Sequence, residues 1–133
     1  MSTKTVVPKK QVKPMTSSKA AREFIQSLAD LGPLVETRVL YESPVPQGRL
    51  QAPLLVEVRR SASWFFAALP ALGIVEEGRT PEAAVKRCLE TLFELLRSYT
   101  NTPPQELSQQ AHAHWRQLQA VARLTRNGRH RKA

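Results

Sequence analysis

Cysteine is almost absent from this 133-residue chain, with Cys88 its only example. That excludes an internal disulfide and any cysteine-based zinc cluster, and it suits a reducing compartment. Aromatic side chains are also few, two Trp, two Tyr and four Phe, so a core has to be built mainly from Leu, Val and Ala. No run of about 18 or more apolar residues is present, so no segment is expected to span a bilayer. The stretch MSTKTVVPKKQVKP lacks an apolar segment of signal-peptide length. The expectation is a cytoplasmic protein.

Acids are missing from both ends. Residues 1–19 carry Lys4, Lys9, Lys10, Lys13 and Lys19, and residues 123–133 carry Arg123, Arg126, Arg129, Arg131 and Lys132, with no Asp or Glu in either stretch. Half of the 20 Lys and Arg residues lie there, while residues 20–122 hold 10 bases against all 11 acids. A neutral body with basic ends suits a polyanion, because each phosphate contact releases counterions. An acidic protein partner and simple solubility are the competing uses of such ends.

What is present is ordered. Residues 1–16 are polar and aperiodic and read as a disordered basic tail. Ser17 or Ser18 can cap a first helix, in which Ala21, Phe24, Ile25, Leu28 and Leu31 share one face. Gly32-Pro33 ends it. In LVETRVLYE, Val35, Thr37, Val39 and Tyr41 alternate with charged residues, as a half-buried strand does. Residues 43–53, with three prolines, read as a loop. LLVEVRR and WFFAALP form an antiparallel pair around a tight SAS turn. Pro70 stops that strand, Gly73 turns the chain, and Ile-Val-Glu adds a short extended piece before Glu77-Gly78.

Thr80-Pro81-Glu82 predicts a helix start, by a capping hydroxyl, a proline at the first helical position and an acid at the positive end of the dipole. Its buried stripe is Val85, Cys88, Leu89, Leu92, Leu95, Leu96 and Tyr99. A second long helix is expected over 102–124, capped by Thr102, with Pro103 first and Gln105 in capping-box position. Its apolar side is Leu107, Ala111, Trp115, Leu118 and Ala122. The whole predicts an α+β domain over 17–124: a small antiparallel sheet of three to four strands with helices packed on one face. Residues 125–133 form a second basic tail.

The run from LLVEVRR through WFFAALPALGIVEEGRTPEAAVKRCLETLFELLRSY resembles the HicB-like antitoxin domain, over about residues 54–99. Leu69-Pro70 corresponds to that family's Leu-Pro corner, Gly73 stands near its corner glycine, and Gly78 to Ala84 correspond to its helix start. The resemblance implies a partial RNase H fold without catalytic activity. It also implies a toxin–antitoxin role, masking a small ribonuclease toxin and binding operator DNA. The sequence departs from the family in having Ala68 where an acid is usual. The corner is one residue longer, and a single long helix with a basic tail follows position 100.

Catalysis is poorly provided for. RNase H chemistry gathers several carboxylates around two metal ions, whereas Glu36, Glu42 and Glu57 are scattered along strands without any Asp, and Glu76 and Glu77 flank a turn. His112 and His114, two apart on a helix, point about 200° away from each other and cannot share a metal. Cys88 lies on a buried stripe and reads as a core residue. Trp64 and Phe66 share one strand face and Phe65 the other, which favours packing over base stacking for most of them. No phosphate loop or nucleophile elbow is present. The expectation is no enzyme, no metal and no cofactor.

The polar side of the last helix is the candidate surface. Gln109, His112, Arg116, Gln119, Arg123 and Arg126 recur at three and four, a stripe of donors leading into the basic tail. Arg and Gln reach phosphates, and Arg reads base edges in a groove. The site residues predicted are therefore Lys9, Lys10, Lys13, Arg116, Gln119, Arg123, Arg126, Arg129, Arg131 and Lys132, contacting DNA or RNA. The reading is a non-catalytic HicB-like nucleic-acid-binding protein. The alternative is a protein-interaction module, an antitoxin or adaptor that docks a partner through its sheet and helices. A homodimer fits either.

Overall fold

The structure, a computed structural model, describes Glu23 and residues 27–125. The fold is α+β. Strands β1 (Leu34–Leu40), β3 (Leu54–Ser61), β4 (Trp64–Leu69) and β5 (Ile74–Gly78) form an antiparallel sheet in the order β1-β3-β4-β5. Strand β2 (Gly48–Leu50) leaves this sheet and pairs antiparallel with β6 (Ala122–Leu124). Two helices follow the main sheet, α1 (Pro81–Thr100) and α2 (Gln109–Val121).

Alternation along the strands sorts the core. Val56 and Val58 of β3, Ala67 and Leu69 of β4 and Ile74 of β5 are buried against the α1 residues Val85, Cys88, Leu89 and Leu92. Residues of the opposite parity, Phe66, Ala68 and Val75, form a second cluster with Leu28 and Leu31. The expected first helix is described at Glu23 and 27–29, both helical; Ser17, Ser18, Ala21, Phe24 and Ile25 lie outside the described residues. Its last turn covers the sheet face opposite α1, so apolar contacts line both sheet faces. Gly32 ends this turn at φ +115, and a Cβ there would run into the Arg60 carbonyl. Arg60 N–H in turn donates to Pro33 O at 3.1 Å.

The β3–β4 hairpin closes with a two-residue turn, Ser61 facing Trp64. Ala62 sits in the left-handed region at φ +52, as a tight hairpin turn requires. The Leu-Pro corner is a 3-10 turn, Pro70–Leu72, closed by Gly73 N–H on Pro70 O. Glu76 and Glu77 lie within β5, where flanks of a turn were expected; Glu76 is buried and accepts from Thr91 Oγ1 at 2.6 Å.

The start of α1 is as the sequence predicts. Thr80 Oγ1 accepts from Ala83 N–H at 3.0 Å, Pro81 leads, and Glu82 receives Arg38 Nη2–H at 3.1 Å. The start of α2 is not at 102. Pro103 is followed by Pro104, and a residue before proline is pushed out of the helical region; Pro103 has ψ 135. The chain instead makes a 3-10 turn, Pro104–Glu106, passes through extended Leu107, and begins α2 under a new cap, Ser108 Oγ accepting from Ala111 N–H at 3.0 Å.

The C-terminal part also differs. The helix expected to reach 124 stops at Val121, and Ala122 takes extended angles, φ −149 and ψ 159. Its successors form β6 against residues expected to be loop. The pairing is prolonged at both ends: Gln51 N–H donates to Val121 O at 2.7 Å and Thr125 N–H to Gln47 O at 3.2 Å. Gly48 lies flat on Phe93 of α1, where a Cβ would collide with the ring.

Candidate nucleic-acid interface

The β2–β6 register brings two arginines together. Gly48 faces Leu124, Arg49 faces Arg123 and Leu50 faces Ala122. Directly opposed side chains on a two-stranded ribbon have Cβ atoms about 5 Å apart, and like charges there repel. Both arginines are exposed, and neither forms an ion pair among the described residues. Among the described residues no carboxylate meets the repulsion.

Beside the pair lies an open cavity of about 470 Å³ lined by Arg49, Gln51, Leu96, Thr100, Gln119, Ala122, Arg123 and Leu124. No acid is among its walls. The floor is apolar, from the end of α1 and from β6, and the rim is Arg, Gln and Thr. Gln51 is fixed across the gap: its Nε2 donates to Gln119 O at 2.8 Å and to Ala122 O at 3.3 Å. That bridge ties the end of β2 to the end of α2 and sets the spacing between the arginines and Gln119. Chemically the surface offers two guanidinium forks, an amide and a hydroxyl around an acid-free hollow, a donor set suited to phosphate oxygens.

Of the predicted site residues, Arg123 and Gln119 come together here. Arg116 is exposed on α2 but does not line the cavity. Arg123 lies on β6 and not on the helix, so the stripe breaks after Gln119; its helical part, Gln109 to Gln119, is about 15 Å long. Lys9, Lys10, Lys13, Arg126, Arg129, Arg131 and Lys132 lie outside the described residues. The basic run in which the last four stand begins three residues beyond Arg123, at Arg126. Arg49, Gln51 and Thr100 were missed. The available signal was a repeated triplet, GRL at 48–50 and ARL at 122–124: a small residue, Arg, then Leu, each able to face a core with its outer residues and solvent with its arginine.

The other candidates resolve by burial. His114 is fully buried. Its Nε2 lies 3.0 Å from Leu72 O, and its Nδ1 lies 2.8 Å from Tyr99 Oη. A carbonyl only accepts, so Nε2 carries the proton and Nδ1 receives the tyrosine O–H. Burial holds the imidazole below its ordinary pKa. His112 faces elsewhere, with Nε2 at 3.0 Å from Pro104 O. Cys88 donates its thiol to Ala67 O at 3.0 Å, and burial pushes its pKa upward. Trp64 is covered on one side by Arg79, whose guanidinium lies 5.2 Å from the ring centre, and Phe65 is met by Arg60 at 5.6 Å. Among the described residues no group of three His, Cys, Asp or Glu side chains could hold a metal ion, and no helix is long and apolar enough to cross a membrane.

Compared with family models, with curated proteins and with solved structures, the chain matches none.

Proposed function

We propose that this is a non-catalytic nucleic-acid-binding protein that grips phosphates with the Arg49–Arg123 pair. Gln119 and Arg116 extend the grip along α2, and the basic C-terminal run prolongs it. The observation that carries the reading is the pair itself: two guanidinium groups opposed on one ribbon, with no acid beside them and an acid-free hollow alongside. Such an arrangement costs stability alone and repays it when an anion bridges the two charges. The hairpin, Leu-Pro corner, short strand and long helix over 54–99 fit a HicB-like body adapted to this use.

The test is fluorescence anisotropy of the full chain with labelled duplex DNA, single-stranded DNA and duplex RNA, titrated across salt. Binding should weaken steeply as salt rises. The Arg49→Ala and Arg123→Ala changes should each weaken it and lower the salt slope by about 1. Unaltered affinity and slope in both variants would remove the pair from the interface.

A further inference from the structure

Strand β1 is an edge of the main sheet, and among the described residues nothing pairs with its free side. Its outward face is apolar and open: Val35 is 48% exposed, Val39 47% and Tyr41, just beyond the strand, 71%, with Leu55 of β3 beside Val39. The bare N–H and C=O groups of such an edge are a template for another strand, interrupted here by the bulge at one end of β1.

The sequence of this edge says which strand fits. Written about Thr37, LVETRVL is complementary to itself when run antiparallel. Thr37 meets Thr37, Glu36 meets Arg38, Arg38 meets Glu36 and Val35 meets Val39, while Leu34, beyond the bulge, lies on the face opposite Leu40. The face bearing Thr37 then carries an unbroken apolar row, Leu55 to Val39 to Val35 of the second copy, repeated by symmetry. The other face carries Glu36 and Arg38, already paired with each other within one chain, with Arg38 also held by Glu82. Across the two-fold each charge directly faces an opposite one, and like charges meet only along the longer diagonal. Opposite-charge and apolar cross-strand pairs both stabilise. A two-fold contact requires such self-matching, since the same patch serves both partners. A bulge between Leu34 and Glu36 leaves Val35 without a partner on β3, while Glu36 to Leu40 remains in regular register.

From this match we propose that two copies of the chain join edge to edge through β1, antiparallel and centred on Thr37, into one eight-stranded sheet. No residue of β1 lines the arginine groove, so the association does not require its ligand.

Sedimentation equilibrium of the full chain tests it. The wild type should be a dimer that dissociates on dilution. Glu36→Arg and Arg38→Glu place like charges across the axis and should each weaken association at least tenfold; E36R/R38E together restores opposite pairs and should recover the dimer. Mild oxidation of Thr37→Cys should give a covalent dimer, because that residue faces its own copy. Val39→Cys, which faces Val35, should not. Val39→Lys alters an exposed side chain and should give a folded monomer by circular dichroism, which separates lost association from lost folding. A wild type monomeric at every concentration, a dimer indifferent to Val39→Lys, or a double variant no better than the singles would overturn the proposal.

Discussion

At the scale of single residues, three side chains carry measurable consequences. His114 is neutral and buried, with its folded pKa below the ordinary value. Both states are uncharged well above pH 6.5, so stability is level there. As pH falls through about 6.5 the unfolded chain takes up a proton that the folded chain resists, and stability is lost toward the lower folded pKa. The urea midpoint should therefore drop between about pH 7.5 and 5.5, and drop less in His114→Gln. Thr91 gives the buried Glu76 carboxylate a hydrogen bond. Thr91→Val should cost about 1–3 kcal/mol in chemical denaturation, since a buried acceptor loses a donor. Ala62 holds a left-handed backbone that disfavours a side chain. Ala62→Gly should gain about 0.5 kcal/mol, the relief of that conformation less the greater chain entropy of glycine.

At the scale of elements, what was legible followed local chemistry. Thr80-Pro81-Glu82 marks a helix start because capping, proline placement and dipole are all settled within four residues. The hairpin was legible because β3 alternates cleanly, β4 is an unbroken apolar run and two residues join them. What was hidden depends on distant partners. The GRL triplet is too short and too proline-flanked to read as a strand until β6 lies beside it, and the end of α2 was obscured because Ala122 and Arg123 continue its helical periodicity. Phe93, outside the predicted stripe, is buried because β2 crosses it. The false start at Thr102 shows a capping pattern losing to the Pro103-Pro104 constraint. Half of the groove was thus visible as Gln119 and Arg123, and half, Arg49 and Gln51, was not. Gly48→Ala should report on this packing: the added methyl meets the Phe93 ring, and thermal melting should show a loss of about 1–3 kcal/mol.

At the scale of the whole molecule, charge and topology act together. On the proposed reading, an anion held by the opposed arginines stabilises the folded state, since a ligand that binds only that state raises its stability by mass action. Inorganic phosphate or a short oligonucleotide should raise the melting temperature of the wild type. The rise should shrink in Arg49→Ala, as differential scanning calorimetry would show.

The ribbon of β2 and β6 has one more consequence. Gln51 reaches Ala122 across 71 positions of sequence, so this clasp closes a long loop with only three residues from each strand. Contacts between positions distant in sequence form slowly, and elements with few buried contacts open at low free energy. The clasp is therefore expected to set late, like a buckle: a chain folded elsewhere but unbuckled lacks its paired arginines. Any polyanion that grips them would hold the buckle shut, making occupancy of the surface a brake on local fraying of the C-terminal end.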